Sequence, residues 1–352
     1  MAGEPGSSAE VPPSQEPAAK EHNGQSLQPQ QSTPIQVDSL VDSDGIDHSD
    51  GDSSYGGEYD SDEMTTSSLT SAITNYVYEN GRRYHSYRQG AYWGPNDDKA
   101  QDNLDIFHHI FTLTLGGRLY LAPIQEDVHR VLDLGTGTGI WAVDFADAHP
   151  SAAVVATDLS PIQPSDVPPN LEFQIDDFTL EWTFRKESLD FIHARSIYGC
   201  ASDYPALYKE ALAHLRPGGW YEQAEISVIP RAEDGSLEGT SMEKWGPLAI
   251  EAGQKFGKSF GIAEDMSGLM EEAGFINVQR HAFKWPIGPW PKNPKLKQIG
   301  AYNRVGWEDG VDGWAMFLFT KFLGWKPEEV QLLTAGIRKE LRSKSIHSYQ
   351  YM

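Results

Sequence analysis

The sequence predicts an α/β fold with a doubly wound, mostly parallel sheet and helices on both faces. Three observations support this prediction. Short apolar runs typical of buried strands alternate with stretches of helical periodicity from residue 130 onward. The first run passes directly into a glycine-rich turn and a helix, and acidic residues follow the first three runs. Strands separated by helices favour parallel pairing with right-handed crossovers, and such sheets bind ligands at the carboxyl ends of their strands.

The predicted elements follow one another at the spacing of such a fold. Residues 102–123 are predicted to form one or two helices ahead of the sheet. A helix at 204–215 has Ser202 or Asp203 as its N-cap and Pro205 in its first turn. The other predicted elements are strands at 130–134, 153–157, 171–175, 189–194, 220–228 and 278–285, helices at 139–148, 266–273 and 328–341, and a last strand beginning at Ile346.

A glycine-rich turn follows the first predicted strand. Gly135, Gly137 and Gly139 occupy alternate positions, and Thr136 lies between the first two. Glycine lets a ligand approach the backbone because it has no Cβ and tolerates positive φ. The helix beyond the turn offers unpaired N–H groups. The turn therefore predicts a ligand site that includes Gly135, Thr136 and Gly137.

The spacing of this turn decides between two ligands. A dinucleotide pyrophosphate is bound by the pattern G-x-G-x-x-G. Here the third glycine comes one residue early, and Ile140 stands where that pattern needs glycine. Asp133 precedes the turn, and its carboxylate would repel a pyrophosphate but pair with an ammonium group. S-adenosylmethionine carries an ammonium, a carboxylate and a sulfonium, so D-x-G-x-G-x-G favours this methyl donor over NAD.

Acidic residues at the next two strand ends extend the predicted donor site. Asp158 ends the second strand, with Leu159 beside it, at the distance from the turn where a carboxylate reaches ribose hydroxyls. Asp176, Asp177 and Phe178 follow the third strand. An acid there accepts the adenine amino group, and the prediction assigns Asp177 and Phe178 to the donor site. Each acid alone is typical of a solvated strand end, but three at consecutive strand ends favour a shared ligand.

Charge and composition exclude several classes of protein. The chain has a formal net charge of −23, and residues 1–65 hold 14 acidic residues against one lysine. We expect residues 1–70 to form a disordered acidic tail that either solubilises the protein or binds a partner. The acidic balance argues against direct nucleic-acid binding. The sequence predicts no transmembrane span and no signal segment, and its single cysteine excludes a zinc cluster, so a cytosolic or nuclear protein is expected.

Several residues outside the turn are candidates for the donor or acceptor site. Arg195, after the fourth strand, is predicted to bind a carboxylate or to pair with a nearby acid. His193 is a core histidine or a base, and at most one of Glu222 and Glu225 faces the pocket because their spacing is odd. Tyr92 belongs to an aromatic segment, residues 76–93, that either packs over the sheet or acts as a lid. Together with residues 245–325, this segment is expected to meet the acceptor.

These landmarks resemble the class I, Rossmann-like S-adenosylmethionine-dependent methyltransferases, and more narrowly the fungal LaeA-like methyltransferases. The segments that carry the resemblance are 79–85, 102–108, 137–141, 158–164, 215–223 and 285–290. The resemblance implies a seven-stranded sheet within one methyltransferase domain, residues 71–352, and a link to fungal secondary metabolism. It also implies a last strand, antiparallel in a hairpin with strand six, that is truncated where this chain stops at Met352.

Three functions remain open on the sequence alone. The first is a methyltransferase whose acceptor is a small molecule or a protein, with no catalytic residue assigned. The second is a donor-binding regulatory subunit that acts through protein partners with little turnover. The third, an NAD-dependent oxidoreductase, is disfavoured by Asp133 and Ile140.

Overall fold

The structure, a computed structural model, describes residues 35–36 and 76–352. The predicted acidic tail therefore lies outside the described residues, apart from Ile35 and Gln36. The described chain begins with an antiparallel pair, β1 (Val77–Glu79) and β2 (Arg82–Tyr84), followed by helix α1 (Asp98–Thr114). The prediction of one or two helices at 102–123 is correct for residues 102–114 and wrong beyond them. The helix stops early because Gly116 and Gly117 adopt positive φ values of 68° and 87°.

Five parallel strands form the sheet that positions the site. They are β3 (Arg130–Leu134), β4 (Ala153–Asp158), β5 (Leu171–Ile175), β6 (Leu189–Arg195) and β7 (Leu215–Ala224), in the spatial order β5-β4-β3-β6-β7. The chain builds outward from β3 through β5 and then crosses back to place β6 on the other side of β3. Strands β4 and β6 therefore lie on opposite sides of β3, and the direction in which strands are added to the sheet reverses there. A sheet of this kind opens a crevice for ligands at that point.

Helices cover both faces of this sheet, as predicted. Helix α2 (Ile140–Ala148) lies on one face, and α3 (Tyr204–His214) and α5 (Ile262–Ala273) lie on the other. The remaining helices of this half are α4 (Ser241–Phe256), α6 (Pro294–Phe322) and α7 (Pro327–Leu341). Val131 packs with Trp141 and Phe145 of α2, whereas Leu132 packs on the opposite face with Tyr208 of α3. This alternation follows from the period of two in a strand. The α/β doubly wound prediction is confirmed.

The C-terminal half adds a helical layer that the sequence did not predict in full. Helices α4, α6 and α7 pack around a core that includes Trp245, Trp307 and Phe319. Helix α6 runs for 29 residues and contains several glycines. At Gly300 a Cβ would lie 2.0 Å from the carbonyl oxygen of Gly288, so this position admits no side chain. The glycines that obscure the helix in the sequence are therefore imposed by close packing.

The last strands differ most from the prediction. Of the predicted strand 278–285, only β8 (Lys284–Pro286) forms, because its antiparallel partner β9 (Tyr349–Tyr351) is three residues long. Backbone bonds from Ser227 and between Arg231 and Tyr349 tie β9 to the chain after β7. The described residues thus hold a five-stranded sheet and an attached two-stranded ladder, where the resemblance implies one seven-stranded sheet.

Strand five is also shifted from its predicted place. It was expected at 220–228, but β7 begins at Leu215, which pairs with Leu189 across a bulge. As an edge strand of the five-stranded sheet, β7 tolerates Pro217, which lacks a backbone N–H. The strand ends at Ala224 because the following residues bond to β9 instead. Helix α3 begins as expected, with Asp203 accepting a hydrogen bond from the Ala206 N–H.

Candidate functional site

A cavity of about 1120 Å³, counted to its open mouth, lies at the carboxyl ends of β3 to β6. The structure brings all ten residues of the predicted donor site to its wall. They are Tyr92, Asp133, Gly135, Thr136, Gly137, Asp158, Leu159, Asp177, Phe178 and Arg195. They meet here because parallel strands present their carboxyl ends at the same edge of the sheet. Their individual contacts with a donor remain predictions.

The glycine turn forms the floor of the cavity. Gly135 and Gly137 adopt φ values of 67° and 62°, a conformation that side chains with a Cβ rarely take. A Cβ at Gly135 would lie 3.1 Å from Cγ2 of Ile197, and one at Gly137 would lie 3.2 Å from Cδ1 of Leu104. A side chain at either position would crowd Ile197 or Leu104, so glycine keeps the backbone of the turn at the wall of the cavity.

Asp158 locks this turn in place. Its Oδ2 accepts a hydrogen bond of 2.8 Å from the Gly137 N–H, and its Oδ1 accepts one of 2.9 Å from the Ser160 N–H. Burial raises the pKa of the Asp158 carboxyl to about 6, and these backbone bonds act in the opposite direction. The carboxylate that the sequence assigned to ribose therefore also shapes the glycine turn, and each of its oxygens keeps a lone pair for a further donor.

Asp133 is paired with a histidine inside the sheet. Its Oδ1 lies 2.7 Å from Nδ1 of His193, and the two residues are neighbours on β3 and β6. The His193 ring stacks on Trp141 with 3.6 Å between ring centroids. His193 is therefore a satisfied core histidine at the edge of the cavity. Its bond holds the Asp133 carboxylate toward the space where the ammonium of the donor was predicted.

Arg195 is oriented by a histidine that sequence analysis did not single out. The Arg195 guanidinium donates to Nδ1 of His108 at 3.1 Å, and Nε2 of His108 lies 3.0 Å from Asp144. Burial and the nearby Arg195 charge lower the pKa of His108 to about 4. A neutral His108 accepts from Arg195 through one nitrogen and donates to Asp144 through the other. The same burial lowers the pKa of Arg195 to about 10, so it stays a cation.

A segment comprising residues 85–97, which precedes the five-stranded sheet in sequence, covers part of the cavity. It is here called the lid. Tyr92 and Asn96 of the lid line the cavity. His85 holds the lid loop, because Nδ1 bonds the Tyr87 carbonyl at 2.7 Å and Nε2 accepts from the Tyr92 N–H. Burial raises the pKa of the Tyr92 phenol well above its ordinary value, so this side chain is neutral. The segment lines the cavity through Tyr92 and packs on the core through Trp93, so its action as a lid stays a prediction.

Three contacts fasten the lid to three strand ends. Arg88 pairs with Oδ2 of Asp177 at 3.1 Å, after β5, and Asn96 donates to Ser160 Oγ at 3.3 Å, after β4. Lys258 donates to the carbonyl of Ala91 and, across the cavity, to the carbonyl of Cys200 after β6. Burial lowers the pKa of the Lys258 ammonium. No sequence signal marked Lys258 or Arg88, because each acts on residues far away along the chain.

The predicted adenine acid is thus largely committed to the protein. Besides Arg88, Asp177 bonds Thr179, whose N–H and hydroxyl both donate to Oδ1 at 3.0 and 2.6 Å. Phe178 lies beside it against the glycine turn, its Cε1 3.4 Å from the position of a Cβ at Gly135. Asp177 therefore connects the lid to this wall of the cavity, and any contact with adenine adds to these bonds.

Glu222 in β7 and Glu225 just after it are not among the residues that line the donor cavity. Glu222 is in register with His193 on the same face of the sheet and accepts from the backbone N–H groups of Leu121 and Ala122. Glu225 accepts from the N–H groups of Ile197 and Tyr198 at 3.1 and 3.3 Å, and burial raises its pKa to about 8. Neither lines the cavity among the described residues, so both hold loops in place and neither is aligned with the donor.

One buried polar atom at the site lacks a partner in the part of the chain that is described. The Thr136 hydroxyl, in the middle of the glycine turn, is buried without a hydrogen bond. A buried hydroxyl is ordinarily bonded, and leaving it unpaired costs roughly 1–3 kcal/mol. With the glycine floor, the pocket acids and Arg195, this hydroxyl fits a ligand that carries ammonium, carboxylate and hydroxyl groups.

Comparison with known proteins identifies relatives over most of the described chain. A family model described as a methyltransferase domain matches residues 106–280. Methyltransferase pytC from Aspergillus terreus is 45% identical over 291 residues, covering 82% of this chain and 89% of that protein. Secondary metabolism regulator LAE1 from Cochliobolus heterostrophus is 36% identical over 294 residues, covering 81% of this chain and 96% of that protein.

One further relative and one solved structure were also found. Protein-methionine methyltransferase laeA from Emericella nidulans is 35% identical over 277 residues, covering 78% of this chain and 74% of that protein. A solved phosphoethanolamine N-methyltransferase 2 from Haemonchus contortus is 16% identical, with a TM-score of 0.42 over 81% of this chain and 71% of that chain. On the identity and coverage of its sequence relatives, the chain belongs to the fungal LaeA-like family of S-adenosylmethionine-dependent methyltransferases.

Proposed function

We propose that the chain methylates a small molecule of fungal secondary metabolism. The observation that carries this proposal is the closed architecture of the site, in which the lid is fastened over the donor cavity at three strand ends. A folded protein substrate needs an open groove, whereas an enclosed pocket suits a small ligand. The names of its relatives pytC and LAE1, a methyltransferase and a regulator of secondary metabolism, support the link to that metabolism.

The chain's own residues have distinct roles at the donor. We assign the glycine turn and the Thr136 hydroxyl to close backbone contact, Asp158 to the ribose hydroxyls, and Asp177 with Phe178 to the adenine. Asp133 faces the ammonium group, and Arg195 binds the carboxylate. Leu159 and Tyr92 complete the apolar wall. This assignment is supported by the position of all ten residues at one cavity.

The reaction asks little covalent chemistry of the protein. When bound, S-adenosylmethionine supplies a methyl group already activated on a sulfonium. The protein aligns the acceptor with that group and excludes water, and alignment alone contributes a large share of the rate. The lid and Lys258 perform the exclusion by closing the mouth of the cavity. We assign no catalytic base. The described residues place no free carboxylate or imidazole where it would lie between the donor and a methyl acceptor.

Transfer of a labelled methyl group tests this proposal. The full chain is incubated with methyl-labelled S-adenosylmethionine and heat-inactivated fungal extract, and unreacted donor is removed by chromatography before small molecules and proteins are counted separately. We expect label in a new small-molecule product and no such product with the Gly135→Val variant. Label confined to the protein fraction would contradict a small-molecule acceptor.

A second candidate is a donor-binding regulatory protein that works through partners or methylates them. It is favoured by the relatives named as regulators and by the relative named for protein-methionine methylation. None of the helices in residues 76–352 is both long and apolar enough to cross a bilayer, and we place the protein in the cytosol or nucleus. Donor binding without label transfer to either fraction, together with capture of a partner by the acidic tail, would favour this candidate.

A further inference from the structure

Arg195 is a cation at the donor cavity that no carboxylate neutralises in the described part of the chain. It ends β6 and lines the cavity. Within residues 76–352, no carboxylate oxygen lies within 4.0 Å of its guanidinium nitrogens. Asp133, Asp144 and Asp105 are close enough to act on its charge but not to pair with it. A charge taken out of water is ordinarily paired, so the partner of Arg195 is expected on a ligand.

Two contacts from helix α1 fix the guanidinium of Arg195. Its Cζ lies 4.8 Å from the centroid of the Phe111 ring, and its Nη2 donates to Nδ1 of His108 at 3.1 Å. His108 and Phe111 are three positions apart on α1, so one face of this helix holds both contacts. A guanidinium has five N–H donors, and the bond to His108 uses one of them. The others stay available to a ligand.

His108 orients Arg195 without cancelling its charge. An acid at this position would form an ion pair with Arg195 and compete with any anionic ligand. Burial and the Arg195 charge lower the pKa of His108 to about 4, so its ring is neutral at physiological pH. A neutral imidazole accepts the hydrogen bond and leaves the positive charge for the ligand.

Asp144 of α2 determines which nitrogen of His108 accepts. Its Oδ2 lies 3.0 Å from Nε2 of His108. Because an ionised carboxylate only accepts, Nε2 carries the proton and Nδ1 presents its lone pair to Arg195. The nearby Thr112 hydroxyl donates to the His108 carbonyl at 3.0 Å and does not compete for Nδ1. Side chains from α2, α1 and β6 thus form a connected row that ends at the cavity.

We propose that His108 is a positioning residue that aims Arg195 at the carboxylate of the donor and makes the site selective for ligands that carry this group. This inference rests on the proposed function, in which Arg195 binds the donor carboxylate, and adds the residue that gives this contact its geometry. Arginine binds a carboxylate through two parallel N–H bonds, so the contact depends on the angle of the guanidinium as well as on its charge. Without the His108 acceptor the charge remains and the angle is lost.

Two ligands that differ by one group isolate this contact. S-adenosylhomocysteine carries the carboxylate and the ammonium group. Its decarboxylated form keeps the adenosine, the sulfur and the ammonium group. Titration calorimetry gives the affinity of the full chain for each ligand. We expect the parent to bind S-adenosylhomocysteine at least about tenfold more tightly, because hydrogen bonds to a charged group are among the stronger ones.

Substitutions at position 108 then test whether His108 acts through Arg195. His108→Leu removes the acceptor and should weaken S-adenosylhomocysteine about tenfold while leaving the decarboxylated ligand unchanged. His108→Asn places an oxygen near the position of Nδ1 and should restore the preference. His109→Leu, at an exposed position on the same helix, is the matched control and should bind both ligands as the parent does. Arg195→Met should lose the preference, and adding His108→Leu to it should cost nothing further.

The outcomes separate a positioning role from a structural one. Equal weakening of both ligands by a folded His108→Leu variant, or additive losses in the double variant, would overturn the inference. Loss of the preference in His108→Asn would also overturn it, and this holds even where His108→Leu does not fold. A parent that binds both ligands equally would overturn the assignment of Arg195 together with this inference. A parent that binds neither ligand would instead overturn the proposed function.

Discussion

The Asp133 carboxylate lies 2.7 Å from Nδ1 of His193, and both residues are almost fully buried. The two residues face each other on neighbouring parallel strands, so their distance is set by the sheet and not by flexible loops. The stack of His193 on Trp141 fixes the ring plane. Asp133, which precedes the glycine turn, is thus held by His193 on the neighbouring strand β6. This rigid pair forms one side of the predicted donor site.

His193→Phe tests this pair. The phenyl ring retains the stack on Trp141 but leaves the Asp133 carboxylate buried without its partner. An unpaired buried acceptor costs about 1–3 kcal/mol, which lowers the melting temperature by several degrees. We also expect weaker donor binding, measured by calorimetry. Equal melting temperatures and equal donor affinities in variant and parent would show that the pair contributes neither to stability nor to donor binding.

Asp158 gives the donor affinity a dependence on pH. Burial raises its folded pKa to about 6, above the unfolded value, so the folded chain binds more protons than the unfolded chain between the two. Its contribution to stability therefore falls as pH rises from about 4 to about 6. Donor affinity should rise as the pH passes through the folded pKa of about 6, because the carboxylate accepts hydroxyl bonds once it is ionised.

The matched variant is Asp158→Asn, which has no charge to titrate. We expect its donor affinity to be lower than that of the parent at pH 7 and flat between pH 5 and pH 7. Affinity is followed by titration calorimetry. A parallel rise in both proteins would assign the pH dependence to another group.

The lid fastenings should control how fast the donor leaves. Lys258→Met removes the donor that joins the Ala91 and Cys200 carbonyls, and we expect donor release to accelerate about tenfold, equivalent to about 1.4 kcal/mol. Release is measured by stopped-flow displacement. Lys255→Met, which removes only an exposed pair with Glu251, is the control and should release at the parent rate. Identical rates in all three proteins would mean that the lid does not gate the cavity.

Glu225 predicts a second pH effect, on stability. Burial raises its folded pKa to about 8, so the folded chain retains a proton that the unfolded chain loses. Stability from this group is present at low pH and declines as pH rises toward 8. Glu225→Gln keeps one oxygen, which is able to accept from the Ile197 N–H in place of Oε1, loses the Oε2 acceptor of the Tyr198 N–H, and removes the titration. Its melting temperature between pH 5 and pH 8 should fall less than that of the parent by several degrees, and equal slopes would contradict this assignment.

Most of the strands around the cavity, and the residues that line it, were predictable because their signals are local. The glycine turn and Asp158 are each recognised from a few consecutive residues. A parallel sheet then necessarily brings its strand ends together. The lid fastenings were not predictable, since Lys258 and Arg88 act across long separations in sequence. In the sequence alone, Lys258 and Arg88 do not differ from other basic residues that are exposed to solvent.

Tertiary packing also explains the elements that the sequence misplaced. Helix α6 was missed because its glycines weaken the helical signal, yet Gly306 packs against Phe107, where a Cβ would lie 3.1 Å from the ring. Where a strand was predicted at 278–285, only the three residues of β8 form one. A strand needs a pairing partner, and β9 offers only three positions. In both cases the deciding contacts come from elsewhere in the chain.

The central claim is that the glycine turn binds S-adenosylmethionine, and titration calorimetry with Gly135→Val tests it most directly. Gly116→Val is the control, because Gly116 has a similar φ of 68° and no atom within 4 Å of its Cβ position. We predict that the parent and the control bind S-adenosylmethionine and not NAD, and that Gly135→Val binds at least about tenfold more weakly while remaining folded. Binding of NAD by the parent, or unchanged S-adenosylmethionine affinity in a folded Gly135→Val variant, would contradict the account.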